Sequence, residues 1–265
     1  MKGFGVCAWS VPLEGEELFQ WLKENGVQNV SVDFNYDVCK EESGMHEWCA
    51  SYRSLAEKYG IEISIMAMNV LCKYGMCHKE NEEIIRDILK VAFRAAKELG
   101  AGAMHLPSFV DGEIHSREEL DQTIVCLKTA AALGEEFDFP VGYESPLPAE
   151  DVKYVLSQVS GKTFFLLFDN ENVSLRGIEP ENLYRSTPEM YLHTHLKAGS
   201  SKDASLRPLE EEAAVGGLKP LIAAMKEHGF DGWVISESSY KKEADRAVWE
   251  EVFRKDRDFV MAQFA

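Results

Sequence analysis

The sequence has little positive charge and lacks any long hydrophobic run. Lysine and arginine number 28 against 45 aspartates and glutamates, a formal net charge of −17 over 265 residues. Proteins that bind the nucleic-acid backbone need clustered lysine and arginine, so this balance disfavours a nucleic-acid partner. No apolar stretch approaches the roughly 18 residues that indicate a membrane span. The first residues carry no signal-peptide pattern, so we expect a cytoplasmic protein that has no membrane partner.

Motifs of several other chemistries are also missing. The six cysteines stand at positions 7, 39, 49, 72, 77 and 126, and none forms a C-x-x-C pair. Their irregular spacing favours buried or incidental thiols over a zinc site or a disulfide framework. No G-x-G-x-x-G follows the first strand-like segment, which disfavours a dinucleotide-binding open sheet but leaves a doubly wound sheet as the alternative fold.

The chain does contain a regular alternation of short apolar runs and amphipathic segments. The strand-like runs are Phe4–Ser10, Val27–Phe34, Ile61–Val70, Gly102–Phe109, Pro140–Ser145, Thr163–Asp169, Met190–Lys197 and Gly232–Glu237. Between them, segments such as Glu82–Leu99 place apolar residues every three or four positions, which is typical of helices with one buried face. Alternating strands and helices pair in parallel through right-handed crossovers. We therefore predict the α/β class, as a (β/α)8 TIM barrel forming a single domain over residues 1–265.

Polar, metal-capable side chains follow the last four predicted strands. Active sites of such barrels lie where the strands end and the following loops begin. Glu144, Asp169 and Glu237 each follow an apolar run, where a buried carboxylate is costly unless it is paired or bound to a metal. His193 and His195 share one face of the seventh strand because side chains alternate with period two, and His195 is nearer the carboxyl end.

Three converging carboxylates would repel one another, and a divalent cation relieves that repulsion. The residues predicted to hold one such cation are Glu144, Asp169, His195 and Glu237. Their donor set suits Mn²⁺ best, with Mg²⁺, Co²⁺ or Zn²⁺ as alternatives. One carboxylate in such a position is more often a surface loop residue, so the prediction depends on all four occurring together. We expect His193 one layer deeper, as a hydrogen-bonded neighbour.

These segments resemble the xylose isomerase-like TIM barrels, the sugar phosphate isomerase/epimerase superfamily. The resemblance covers nearly the whole chain and is most specific from Val141 onward. Glu144 matches the family's glutamate of strand five. Asp169 matches its aspartate of strand six, and Asn172 matches the His or Asn found three residues later.

Three further patterns carry the same resemblance. The family's H-x-H-x-K-D is matched from His193 to Lys197, except that Ala198 replaces the final aspartate. Its G-x-G before the last helix is resembled by residues 215–217, which read Val-Gly-Gly. Its final G-[YF]-x-G-x-x-x-x-E is matched from Gly229 to Glu237. The change at Ala198 weakens any transfer of substrate detail.

The resemblance implies a divalent-metal-dependent isomerase or epimerase. Its substrate would be a small sugar, a sugar phosphate or a polyol-derived ketone, converted by proton transfer through an enediolate. In the ketose 3-epimerase branch, the glutamates matched by Glu144 and Glu237 serve both as metal ligands and as the catalytic acid/base pair. A small carbohydrate is therefore the expected partner, and a homo-oligomer is compatible with the sequence.

Further residues are expected to line the substrate pocket. They are Trp9, Asn69, His105, Asn172, His193, Lys197 and Arg207. Trp9 is either a stacking platform for a sugar ring or a core aromatic, and His105 is either a pocket residue or a structural one. Lys197 is either a donor to a substrate oxygen or a solvated rim lysine. Arg207, with Lys202, would allow a phosphorylated substrate, surface charge being the alternative.

Other functions remain as alternatives. A lyase or dehydratase acting on an inositol or sugar-acid derivative would use the same scaffold. A nuclease similar to endonuclease IV is disfavoured, because it needs further histidine ligands and the third strand ends at Asn69. A sugar-binding barrel without catalysis would have no need for three converging carboxylates.

Overall fold

The computed structural model describes residues 1–198, 206–212 and 217–265. Within them the strands are β1 (Gly3–Cys7), β2 (Asn29–Asp33), β3 (Glu62–Ala67), β4 (Ala103–Pro107), β5 (Val141–Glu144), β6 (Phe164–Asp169), β7 (Tyr191–Leu196) and β8 (Trp233–Ser236). The helices are α1 (Gly15–Glu24), α2 (Tyr36–Cys39), α3 (Glu42–Tyr59), α4 (Leu71–Tyr74), α5 (Glu82–Leu99), α6 (Arg117–Phe137), α7 (Ala149–Gln158), α8 (Asn170–Leu175), α9 (Pro180–Ser186), α10 (Leu209–Glu212), α11 (Leu218–Glu227) and α12 (Arg246–Phe264).

The strands neighbour one another in chain order, from β1 to β8, in a closed barrel. Their pairing is parallel, as between β1 and β2, β4 and β5, and β7 and β8. Each predicted strand-like run overlaps one observed strand, and at least one helix follows every strand. This topology agrees with the predicted (β/α)8 class. Among the described residues, no helix is long and apolar enough to cross a membrane.

The contacts of the chain cluster into two compact units, and the first comprises Met1–Ser31, Pro146–Ala149 and Leu166–Ala265. In it, β8 pairs with both β7 and β1, and β7 also pairs with β6. All residues of β1 and β6 are buried, as expected of parallel strands covered on both faces. Asp169 lies opposite His195 in the register of β6 and β7.

The second unit comprises Val32–Ser145 and Glu150–Phe165. Here β4 pairs with β3 on one side and β5 on the other, and Pro107 lies opposite Glu144. Helix α5 buries one apolar face and ends at Leu99. The next residue, Gly100, has a φ of 76°, a left-handed conformation that glycine adopts without strain. The single domain expected over residues 1–265 stays a prediction.

Candidate metal centre

Three metal-capable side chains of the first unit lie at the carboxyl ends of neighbouring strands. Asp169 is the last residue of β6, His195 is the second-last of β7, and Glu237 directly follows β8. Each offers one ligand atom within 4.8 Å of those of the other two. Asp169 and His195 are buried, and the Glu237 side chain is 19% exposed. The parallel register therefore gathers three potential ligands at one edge of this unit.

Each of the two carboxylates has one oxygen fixed by a neighbouring donor. Asp169 is the N-cap of α8, and its Oδ1 accepts a hydrogen bond from the backbone N–H of Asn172 at 2.7 Å. The Oε1 atom of Glu237 accepts one from the indole Nε1–H of Trp9 at 2.9 Å. These bonds orient the carboxylates and leave Asp169 Oδ2 and Glu237 Oε2 for other partners.

Lys197 bridges those two remaining oxygens. Its Nζ lies 3.0 Å from Asp169 Oδ2 and 2.8 Å from Glu237 Oε2. The Asn170 side chain holds the backbone of Lys197 at both its N–H and its carbonyl, at 2.9 and 3.0 Å. Burial acts to raise the pKa of Glu237, but Lys197 and His195 outweigh it and hold this pKa well below its usual range.

The two nitrogens of His195 face different groups. Nδ1 lies 3.6 Å from Glu237 Oε2, and Nε2 lies 3.7 Å from Cys7 Sγ. Burial lowers the pKa of His195, but the electrostatic and hydrogen-bond interactions of the ring with Cys7 and Glu237 outweigh burial and raise this pKa well above its usual value. The ring of Trp9 meets the imidazole edge-on, with 6.3 Å between centroids.

His193 has a different environment from His195. Its Nδ1 accepts a hydrogen bond from the backbone N–H of Trp233 at 3.2 Å. Burial lowers the pKa of the His193 imidazole to about 3, so the ring is neutral at pH 7 and accepts through the lone pair on Nδ1.

In the second unit, Glu144 and His105 form a buried pair. Glu144 ends β5 and is 2% exposed. The Nε2 atom of His105, in β4, lies 2.5 Å from Glu144 Oε2. Asn69 follows β3 and is half-buried, and its backbone N–H donates to Asp33 Oδ1 at 3.3 Å.

The remaining sequence-predicted residues differ in their exposure and in whether the structure describes them. Arg207 is exposed, and Lys202 lies outside the described residues, as do Val215 and Gly216 of the glycine motif. Asn172 is half-buried and contributes its backbone to Asp169.

Sequence reasoning missed two neighbours of the ligands, Cys7 and Asn170. Both carried a positional signal. Cys7 ends β1, as Asp169 ends β6, and Asn170 is the residue that directly follows Asp169.

The donor set of the first unit fits a divalent cation. Two carboxylate oxygens and one imidazole nitrogen suit Mn²⁺ and equally admit Mg²⁺, Co²⁺ or Zn²⁺. Cys7, His195 and Glu237 form a second group whose ligand atoms lie within 4.8 Å of one another, and its thiol would favour a softer ion. Asp169, His195 and Glu237 are therefore the residues of this unit best suited to hold the ion.

A sequence model of one protein family, described as xylose isomerase-like TIM barrel, matches residues 19–262. The chain belongs to this family. The resemblance and the (β/α)8 fold class predicted from the sequence are both confirmed. No protein with a curated description matches this xylose isomerase-like chain.

Solved structures that resemble this xylose isomerase-like barrel carry different names. A D-psicose 3-epimerase from Clostridium cellulolyticum H10, solved with D-tagatose, is 11% identical with a TM-score of 0.71, covering 100% of this chain and 99% of that one. A sugar phosphate isomerase/epimerase from Parabacteroides distasonis is 15% identical with a TM-score of 0.70, covering 100% and 94%. A family 2 AP endonuclease from Brucella melitensis is 14% identical with a TM-score of 0.68, covering 90% and 93%. At these identities the likeness shows a shared fold only.

Proposed function

We propose that this protein is a divalent-metal-dependent isomerase or epimerase of a small sugar, a sugar phosphate or a polyol-derived ketone. The observation that carries the proposal is the convergence of Asp169, His195 and Glu237 at the ends of adjacent strands. Two similar structures, a D-psicose 3-epimerase and a sugar phosphate isomerase/epimerase, support the sugar as the substrate class. The acidic surface supports a small-molecule substrate over DNA, since a net charge of −17 repels a polyanion.

Glu144 is the fourth ligand of the proposed centre. It ends a strand, as Asp169 does, and it is buried beside His105, so its carboxylate is held in one orientation. A buried carboxylate in this position is stable when a cation or a proton donor neutralises it. Mn²⁺ is the proposed ion, since three carboxylates and one imidazole match its ligand preference.

The chain's own residues divide the chemistry between them. When bound, a divalent cation polarises the substrate carbonyl and stabilises the negative charge that develops on its oxygen. Glu144 and Glu237 remove a proton from the carbon beside that carbonyl and return one, through an enediolate. Glu237 is ionised at neutral pH, which a base requires, and its lowered pKa reduces the basicity of the carboxylate while Lys197 stays beside it.

Substrate contacts come from side chains around this centre. Lys197 donates to a substrate oxygen, and the half-buried ring of Trp9 packs against the sugar while its N–H holds Glu237. The other proposed contacts are Asn69, His105, Asn172, His193 and Arg207. A cytoplasmic location and one domain complete the proposal.

Proton exchange tests this function directly. The purified protein, loaded with Mn²⁺, is incubated in D₂O with a panel of ketoses and ketose phosphates, and each sugar is analysed by NMR. We expect deuterium at the carbon beside the carbonyl of at least one sugar, together with its epimer or isomer. Deuterium with loss of water from the sugar would indicate a dehydratase instead. No exchange with any sugar, from protein that binds Mn²⁺, would contradict the proposal.

A further inference from the structure

The Lys197 ammonium lies between one oxygen of the Asp169 carboxylate and one oxygen of the Glu237 carboxylate. Its Nζ contacts Asp169 Oδ2 at 3.0 Å and Glu237 Oε2 at 2.8 Å. The other oxygen of each carboxylate already accepts a hydrogen bond. Asp169 Oδ1 accepts from Asn172 N–H at 2.7 Å, and Glu237 Oε1 accepts from Trp9 Nε1–H at 2.9 Å. The ammonium therefore occupies the position between Asp169 Oδ2 and Glu237 Oε2 that a bound cation would take.

A divalent ion and this ammonium cannot share those oxygens without strong repulsion. Bonds from a carboxylate oxygen to Mg²⁺ or Zn²⁺ are about 2.0–2.2 Å long. An ammonium at hydrogen-bond distance from the same two atoms would then lie only a few ångströms from a doubly charged ion. Like charges that close, in a largely buried site, repel each other strongly.

We propose that the Lys197 ammonium competes with the divalent ion for the cation position, so that the ion must displace the ammonium in order to bind. The inference rests on the proposed function, because it concerns the same ligands. Once displaced, the ammonium can donate to a substrate oxygen. Lys197 thus neutralises the carboxylates before the ion arrives and contributes to substrate binding afterwards.

The surroundings of Lys197 allow its side chain to move alone. Asn170 holds the backbone at both its N–H and its carbonyl, so the position of the Cα atom is fixed. The side chain is 16% exposed, so the described residues do not enclose it completely. Its four-carbon stem can redirect the charge without any change in β7.

Metal affinity in two matched variants tests the inference. Lys197→Met removes the ammonium and keeps an unbranched side chain. Lys241→Met removes the same charge from an exposed position in the turn Tyr240–Lys242 after β8. We expect Lys197→Met to bind Mn²⁺ about tenfold more tightly than the unaltered protein, and Lys241→Met to stay within about twofold. The measurement is a calorimetric Mn²⁺ titration of protein stripped with a chelator.

The outcomes separate this inference from the proposed function. If the unaltered protein binds no divalent ion, the proposed function fails. If it binds Mn²⁺ but Lys197→Met binds no more tightly than Lys241→Met, the competition is refuted and the proposed function stands. Tighter metal binding with a lower kcat in Lys197→Met would support both roles of the ammonium.

A second measurement needs no substitution. Amine acetylation of the unaltered protein is followed by peptide mass spectrometry with and without Mn²⁺. Displacement predicts that Mn²⁺ increases the labelling of Lys197 and leaves that of Lys241 unchanged. Equal or reduced labelling of Lys197 in Mn²⁺ would overturn the inference even if Lys197→Met did not fold.

Discussion

Two buried carboxylate clusters lie in the first unit, and adjacent residues at the end of β8 contribute to both. Glu237 enters the ligand cluster with Asp169, His195 and Lys197. Ser236, the residue before it, contacts the hydroxyl of Tyr240 at 2.7 Å on the other side of the strand. Successive side chains of a strand point to opposite faces, so one strand end serves two clusters.

In the second cluster, each oxygen of the carboxylate accepts a hydrogen bond from a donor within the protein. Asp256 of α12 is fully buried, and its Oδ2 accepts a hydrogen bond from the Tyr240 hydroxyl at 2.6 Å. Its Oδ1 accepts one from the backbone N–H of Leu209, also at 2.6 Å. Burial is the main reason that the pKa of Asp256 rises to about 7. Among the described residues, no group of three metal-capable side chains includes Asp256.

The difference distinguishes a carboxylate that is satisfied within the protein from the carboxylates of the proposed metal centre. In the Asp256 cluster, neutral donors use both oxygens of a single acid. In the ligand cluster two acids and an imidazole converge, and the Lys197 ammonium contacts both acids. Burial alone therefore does not indicate function; convergence of several charged groups with oxygens directed to one point does.

The largest expected effect is on kcat, and it should differ between substitutions in the two clusters. Glu237→Gln keeps an oxygen that can ligate but loses the basic lone pair, so kcat on an exchanging ketose should fall about 10²-fold or more. Asp256→Asn, in the other cluster, should leave kcat within about threefold. Steady-state kinetics of both variants with saturating Mn²⁺ measure this. Near-full activity in Glu237→Gln would show that this glutamate only holds the ion.

Glu144→Gln applies the same test to the second proposed base. It should also lose about 10²-fold in kcat, for the same chemical reason. Deuterium wash-in refines the result, because the variant that lacks the abstracting base should stop exchange while the other should still exchange without forming product. Two fully active variants would refute the two-base mechanism.

The pH dependence of stability should come next in size. Asp256 has a folded pKa of about 7 and an ordinary value of 3.8. The folded state binds more protons between these values, so Asp256 contributes stability that is present below about pH 4 and lost as the pH rises to about 7. The free energy of unfolding, relative to Asp256→Asn, should fall by up to about 4 kcal/mol across this window.

Urea unfolding of the unaltered protein and Asp256→Asn at several pH values measures that difference. Both proteins keep His193, whose opposite pH dependence then cancels. A difference that is flat, or that grows with pH, would show that Asp256 is already ionised in the folded state.

A smaller effect is expected from the hydroxyl of Tyr240. Tyr240→Phe leaves Asp256 Oδ2 buried without this donor, which should lower the free energy of unfolding by about 1–3 kcal/mol. Tyr154→Phe is the control, because that hydroxyl bonds Asp121 at 2.9 Å on an exposed surface and should cost no more than about 0.5 kcal/mol. Equal losses in urea unfolding would show that the buried network adds nothing to stability.

Most of the fold could be predicted from the sequence, because strand and helix periodicities differ. Strand ends were less well defined: the run Ile61–Val70 contains β3, which ends at Ala67. Met68 follows the strand and is as buried as the last three residues of β3, 65–67. Apolar patterning reports burial, so it cannot separate the end of a strand from a buried turn.

The candidate site was only partly predictable. The positions of Asp169, His195 and Glu237 could be predicted from the strand ends, because backbone periodicity sets where a Cβ atom points. The contacts of Lys197 and Trp9 with Glu237 depend on side-chain rotamers, which no sequence spacing encodes. The Asp256 cluster does have a signal in the sequence, since Asp256 occupies the buried stripe of α12 formed with Trp249, Val252, Phe253 and Val260.

One measurement tests the central claim most directly: Mn²⁺ bound per chain, counted by electron paramagnetic resonance, for the unaltered protein and His195→Ala. We predict one tightly bound Mn²⁺ per chain in the unaltered protein, and at least tenfold weaker binding, a loss of about 1.4 kcal/mol or more, in His195→Ala. Asp256→Asn should bind Mn²⁺ as the unaltered protein does. Absence of bound Mn²⁺, or binding that survives His195→Ala unchanged, would contradict the assignment of the ligand cluster as a metal centre.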